Sequence, residues 1–268
     1  MSEILFKSLS SGSCGNCYYL CIKDGDGKRT PILIDAGVSP RRLKKELTFN
    51  GLSSDEVCAI LVTHDHMDHI RSLGSYCKHL RWPVWATPVL HRAMSRHTMT
   101  SGHIEPYRKE LSEGWNDIVP GRIRARYFTV PHDATQTVGY AIMLDNFKFV
   151  LMTDIGRMTP DGLSFASQAD AVVIESNYDP DMLRNGPYPI DLQDRIRNGN
   201  GHLSNGECAD AVRRFAHEGL RHIFLCHLSE HNNTPELAIQ ASQPYVPEGT
   251  LLTALPRECA SELFSLSL

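Results

Sequence analysis

The chain has 268 residues, 22% of them charged and 41% hydrophobic, an ordinary globular composition with enough length for a sizeable core. Its net charge of −4 argues against sequence-independent coating of nucleic acid, although residues 41–45 and 122–126 are locally basic. No apolar run is long enough to cross a bilayer and no cleavable leader pattern is present, so a cytoplasmic protein with no membrane association is expected.

Residues 3–9 and 17–23 read as strands flanking the small-residue loop 10–16, SSGSCGN. Cys14 and Cys17 in that loop have C-x-x-C spacing, but no second pair accompanies them, so a structural turn is expected. Asp24-Gly25-Asp26-Gly27 lacks the later ligands of a calcium loop and reads as a hairpin tip before a strand over 31–35. Ser39 and Pro40 open a helix that runs to Leu47 and closes at Asn50-Gly51. A strand over 58–63, a helix over 69–79, a short strand over 83–86 and a helix opening at Thr87-Pro88 follow. Residues 122–130, 138–144 and 147–153 read as strands, the last two joined by a turn at Asp145-Asn146. Short buried strands are expected over 171–175 and 223–226. Between them, Ser204 and Glu207 form a capping box for a helix with Cys208, Ala211, Val212, Phe215 and Ala216 on its apolar face. No linker interrupts the pattern, and a single domain over residues 1–268 is expected.

A weak internal repeat is visible. The stretch 32–37, ILIDAG, resembles 150–156, VLMTDIG: in both, an apolar strand ends in Asp-x-Gly before a helix with an early proline. Residues 60–64 match 172–176 in the same way.

His64, Asp65, His66, Asp68 and His69 crowd into six positions just past the strand over 58–63. Neutral imidazoles and carboxylates suit a borderline divalent cation, and leaving so many ionisable groups unpaired at a buried strand end is costly. The cluster holds too many ligands for one ion and too few for two closed spheres. His132, Asp154 and His227 each follow another strand and can supply the rest.

These elements, Asp35, His64-x-His66-x-Asp68-His69, His132, Asp154 and His227, resemble metallo-β-lactamase-fold hydrolases in order and context over nearly the whole chain. The resemblance implies an α+β, four-layer αββα sandwich of two mixed β-sheets flanked by helices, with the site at one edge where the sheets meet. It implies two divalent metal ions, Zn²⁺, Mn²⁺ or Fe: one on His64, His66 and His132, the other on Asp68, His69 and His227. Asp154 bridges them, and Asp35 supports a ligand histidine or its turn from behind. Asp65 is left to face solvent or to lend similar support. Two cations about 3.5–4 Å apart activate a water for attack on phosphorus or a carbonyl carbon, with Asp68 sharing in the catalysis.

The segments 10–16, 131–134 (PHDA), 175–179 (ESNYD), 201–205 (GHLSN) and 227–234 (HLSEHNNT) further resemble the YycJ/WalJ-type subgroup, from which Cys14 and His231 depart. That subgroup implies a nuclease, a 5′-to-3′ exonuclease with DNA ahead of RNA as substrate. Too few residues separate Asp154 from His227 for the large extra domain of the β-CASP nucleases. A small-molecule hydrolase for a cyclic phosphodiester or thioester is the alternative, with a non-hydrolytic metal-based sensor behind it. The capped helix after Ser204 offers N–H groups and a dipole to an anion. Ser204 and Asn205 are therefore candidate phosphate contacts, and His202 a candidate general acid. Ser13, Asn16 and Asn177 are further candidate substrate contacts. His79, His91, His97, His103, His217 and His222 are expected to be structural or on the surface.

Overall fold

In the computed structural model, which describes residues 2–266, the chain divides into two units: residues up to Arg126 with the segment from Glu258, and Tyr127–Arg257. In the first, β1 (Glu3–Gly12), β2 (Gly15–Lys23) and β3 (Arg29–Ile34) form an antiparallel meander. All three are buried along almost their whole length, so β1 encloses Lys7, Ser8 and Ser10 along with its apolar residues Ile4, Phe6 and Leu9. The loop expected over 10–16 is much tighter. Ser11 pairs with Asn16 and Gly12 with Gly15, leaving Ser13 and Cys14 as the exposed turn.

Ser39 caps α1 (Pro40–Phe49) by accepting from the Arg42 N–H, and the helix buries Leu43 and Leu47. The strand β4 (Ala59–Leu61) lies parallel to β3. The single helix expected over 69–79 is two, α2 (Met67–Ile70) and α3 (Leu73–Leu80). The break falls where the Ser72 N–H donates to the Ala36 carbonyl instead of continuing a helical ladder. Next come β5 (Val84–Ala86), then α4 (Pro88–Met94) capped by Thr87, then β6 (Arg108–Glu110) parallel to β5. An antiparallel pair follows, β7 (Asn116–Val119) with β8 (Ile123–Val130), and the boundary between the units falls inside β8.

In the second unit, β9 (Thr137–Leu144) and β10 (Phe147–Met152) meet through Asp145, whose φ of 52° suits a two-residue hairpin turn. After α5 (Pro160–Ala166), β11 (Ala171–Glu175) lies parallel to β10. Helices α6 (Pro180–Asn185) and α7 (Ile190–Arg197) pack Leu183 and Ile196 with Tyr178 in a small satellite core. The main core takes Cys208, Ala211, Val212 and Phe215 from α8 (Asn205–Phe215) together with Val150, Val172 and Ile223. β12 (His222–Cys226) then pairs parallel with β11 and β13 (Leu251–Ala254) parallel with β12, with α9 (Pro235–Ser242) between them in sequence.

The segment from Glu258 belongs to the first unit. There β14 (Phe264–Ser265) pairs antiparallel with β1, the Ser261 N–H donates to the Ser8 carbonyl, Lys7 Nζ donates to the Ser261 carbonyl, and Arg42 donates to the Glu258 carbonyl. Among the described residues the strands form two mixed sheets, β14-β1-β2-β3-β4-β5-β6 and β13-β12-β11-β10-β9-β8-β7, flanked by helices, the α+β class expected from the sequence. No helix among them is long and apolar enough to cross a membrane.

The internal repeat has a structural counterpart within each unit. Antiparallel β2–β3 is followed by parallel β3–β4, and antiparallel β9–β10 by parallel β10–β11. In both, the aspartate that closes the middle strand is left-handed, with φ of 63° at Asp35 and 54° at Asp154.

Candidate metal centre

In the first unit the arrangement is built on Asp35, which has no exposed surface. Its Oδ1 accepts from the Thr63 N–H at 2.8 Å, and its Oδ2 accepts from Thr63 Oγ1 at 2.8 Å and from His69 Nδ1 at 2.7 Å. A carboxylate here only accepts, so His69 carries its proton on Nδ1 and its lone pair on Nε2. His64 Nδ1 lies 3.1 Å from Thr63 Oγ1, and the His64 ring centroid is 4.8 Å from that of His66 and 3.9 Å from that of His69. Asp68 sits in the first turn of α2, whose N-cap is His66. Asp65 does not face solvent: it is 7% exposed, with Oδ2 3.7 Å from His97 Nε2.

In the second unit the buried carboxylate is Glu175, at the end of β11. Its Oε1 accepts from His202 Nδ1 at 2.7 Å and from His227 Nδ1 at 2.9 Å, while Oε2 accepts from the N–H groups of Ile155 (2.9 Å) and Leu203 (3.2 Å). Asp154 accepts from Thr153 Oγ1, and its Oδ1 lies 3.4 Å from His227 Nε2 and 3.8 Å from His132 Nε2. His132 donates from Nδ1 to the Gly201 carbonyl at 2.8 Å. The sequence expectations did not include Glu175 in the site. Its signal was a glutamate closing the apolar run 171–174, as Asp35 and Asp154 close theirs.

Burial opposes the charge on Glu175, but the His202 imidazolium and hydrogen bonds from both histidines hold its carboxyl below the usual range. Burial likewise opposes charge on His202, and Glu175 overcomes it, raising that imidazole above its ordinary value. For His132 burial wins, and its pKa is lowered.

The donor chemistry fits divalent cations. His69, His132 and His227 each have Nδ1–H fixed by an oxygen that can only accept, which leaves Nε2 as the basic nitrogen; metal-ligating imidazoles are oriented in this way. In the second unit, ligand atoms of Asp154, Glu175, His202 and His227 all lie within 4.8 Å of one another.

The residues expected to touch substrate are placed differently. Ser13 is exposed at the β1–β2 turn, whereas Asn16 has no exposed surface. Asn177, 6% exposed, donates from Nδ2 to the His227 carbonyl at 2.7 Å. Asn205, 3% exposed, exchanges reciprocal 2.8 Å amide bonds with Asn233 and accepts from Ser176 Oγ. The start of α8 does not offer a row of idle donors to a phosphate. The Ser204 N–H donates to Glu207, the Glu207 N–H to Ser204 Oγ, and the Asn205 N–H to the Tyr178 carbonyl.

Residues 30–227 match the family described as the beta-lactamase superfamily domain, and the chain belongs to that superfamily. It is 35% identical over 240 residues to exodeoxyribonuclease WalJ of Streptococcus pneumoniae serotype 2, covering 89% of this chain and 87% of that protein. It is 36% identical over 233 residues to exodeoxyribonuclease YycJ of Bacillus anthracis, covering 87% and 85%. These likenesses place it in the WalJ/YycJ subgroup. Among solved structures it resembles the metallo-beta-lactamase fold protein YhfI from Bacillus subtilis, at 14% identity and a TM-score of 0.70, over 98% of this chain and 99% of that one. It also resembles Zn²⁺-bound PqqB from Methylobacterium extorquens, at 16% identity and a TM-score of 0.67, over 96% and 99%. At such identities the likeness is one of fold.

Proposed function

We propose that this chain is a divalent-metal-dependent phosphodiesterase that degrades DNA stepwise from 5′ ends. The observation that carries the reading is the set of histidines whose Nδ1–H is fixed by a carboxylate or carbonyl oxygen, leaving Nε2 for a cation. DNA as substrate is taken from the two exodeoxyribonucleases of 35% and 36% identity. Following the ligand order of the superfamily, we assign His64, His66 and His132 to one cation and Asp68, His69 and His227 to a second. Asp154 is assigned to both, with Asp35 and Glu175 as supports. Such cations supply an activated water and offset the negative charge that grows on phosphate oxygens.

The chain's own groups do the rest. Asp35 and Glu175 fix the tautomers of His69 and His227. His202, 21% exposed and held at Nδ1 by Glu175, is the group placed to give a proton to the leaving oxygen, and the Glu175 carboxylate raises its pKa, favouring the protonated form. Asp68, at 22% exposure, is also open to solvent and is a second route for proton transfer.

The test is hydrolysis of end-labelled single- and double-stranded DNA and RNA with Mn²⁺ or Zn²⁺ added. Stepwise loss from 5′ ends of DNA is the expected result. Activity confined to bis(p-nitrophenyl) phosphate or to a thioester would replace this reading with a small-molecule hydrolase.

A further inference from the structure

Asn16 is a fully buried amide whose hydrogen bonds do not balance. Its Nδ2 lies 3.1 Å from the Gly12 carbonyl, 2.9 Å from Asp68 Oδ2 and 2.8 Å from His69 Nε2. Its Oδ1 meets no donor among the described residues. Two amide hydrogens therefore face three acceptors, while an acceptor is stranded in the interior. Rotating the amide gives no relief, because Oδ1 would then abut a carboxylate oxygen and a carbonyl oxygen. A stranded buried acceptor is uncommon and calls for an explanation beyond packing.

The surroundings leave the amide little room to move. Asn16 is paired with Ser11 across the β1–β2 hairpin, and its carbonyl accepts from the Gly37 N–H at 2.8 Å. Arg71 Nε donates to the Gly37 carbonyl at 2.8 Å, and the Ala36 N–H donates to the His69 carbonyl at 2.7 Å. A Cβ on Gly37 would lie 1.8 Å from the Asp68 carbonyl oxygen and 2.5 Å from the Asn16 nitrogen. The hairpin that carries Asn16 and the turn that carries Asp68 and His69 thus close on one glycine.

We infer that Asn16 is a positioning residue for the carboxylate of Asp68. One amide hydrogen fixes Asp68 Oδ2 and the other is anchored by Gly12; when His69 Nε2 gives its lone pair to a cation, two acceptors remain for two hydrogens. The inference rests on the metal-binding reading above. It assigns Asn16 to the support of a ligand, not to contact with substrate.

A double-mutant cycle on Mn²⁺ and Zn²⁺ affinity, measured by titration calorimetry on the full chain, tests it. Asn16→Ala is expected to weaken binding about 10–100-fold, the usual cost of losing a group that orients a ligand. In an Asp68→Ala background the same substitution is expected to change affinity less than about twofold, because the group it acts through is gone. Equal losses in both backgrounds, or no loss in either, overturn the inference and leave the metal reading standing. Absence of binding by the wild-type chain overturns both. If Asn16→Ala does not fold, the isosteric Asn16→Asp runs through the same cycle. Set against Asp68 it should lose more affinity than Ala would, and that loss should again vanish with Asp68→Ala; an undiminished loss counts against the inference.

Discussion

The two halves of the repeat use the same backbone and exchange the jobs of its acids. After β3, Asp35 is left-handed and wholly enclosed, with both oxygens committed to Thr63 and His69. After β10, Asp154 is left-handed too but stands beside the Nε2 atoms of His227 and His132. The enclosed carboxylate of that half has moved one strand over, to Glu175 at the end of β11, the repeat position that Thr63 occupies in the first half. Which strand end carries the histidine-holding acid decides whether the turn aspartate is tied up with an imidazole Nδ1–H, as Asp35 is, or stands beside imidazole Nε2 atoms, as Asp154 does. The second half also differs in number: Asp35 holds one imidazole, whereas Glu175 holds two.

The second imidazole is where the comparison can be broken most sharply. His202→Ala is expected to lower single-turnover cleavage about 10²–10⁴-fold, as for loss of a general acid, with metal content by mass spectrometry unchanged. A matching fall in metal content would make His202 a ligand instead. Next come the two enclosed acids. Asp35→Asn and Glu175→Gln are each expected to weaken metal affinity about 10–100-fold by calorimetry. Only Glu175→Gln should also slow turnover at saturating metal, since only it orients His202.

The two Asp-x-Gly glycines form a third matched pair. A Cβ on Gly37 would lie 1.8 Å from the Asp68 carbonyl oxygen, and one on Gly156 would lie 2.4 Å from that of Gly199. Alanine at either should cost about 1–3 kcal/mol in denaturant unfolding, with Gly37 the worse. The smallest effect concerns pH. Burial lowers the pKa of His91 in the first unit and of His222 in the second. The unfolded chain takes up protons below about 6.5 while the folded chain resists them. Stability is therefore complete above that pH and declines as pH falls toward the lowered folded values. The dependence of melting temperature on pH between 7 and 5 should flatten in His91→Gln and in His222→Gln.

The sequence foretold those parts of the fold whose signal is local. Apolar stretches announced β2, β3 and β9–β12, mixed or alternating ones announced β1 and β8, and hydroxyl caps at Ser39, Thr87 and Ser204 announced their helices. The misses are tertiary in origin. β6 is Arg-Lys-Glu and forms only because β5 offers it a pairing edge. The break between α2 and α3 depends on Ala36, distant in sequence, capturing the Ser72 N–H. At the site, histidines and aspartates were legible because their types and spacing are unusual. Glu175 was not, because one glutamate at a strand end looks ordinary until two imidazoles are seen to converge on it. Asn16 and Asn205 are candidate substrate contacts by sequence, and their burial comes from partners distant in the chain, Asp68 and His69 for Asn16 and Asn233 for Asn205, which no local pattern encodes.

The pairing of β14 with β1 also bears on how the chain is made. Lys7 and the Ser261 carbonyl it reaches are 254 positions apart, so β1 is synthesised long before the segment that covers its outer edge. At about 5–20 residues per second the ribosome leaves that edge open for roughly ten to fifty seconds. Throughout that interval an apolar strand with an unpaired flank is exposed to other nascent chains. A translational pause anywhere between β1 and Ser261 should therefore lengthen that exposure and cost yield of soluble protein.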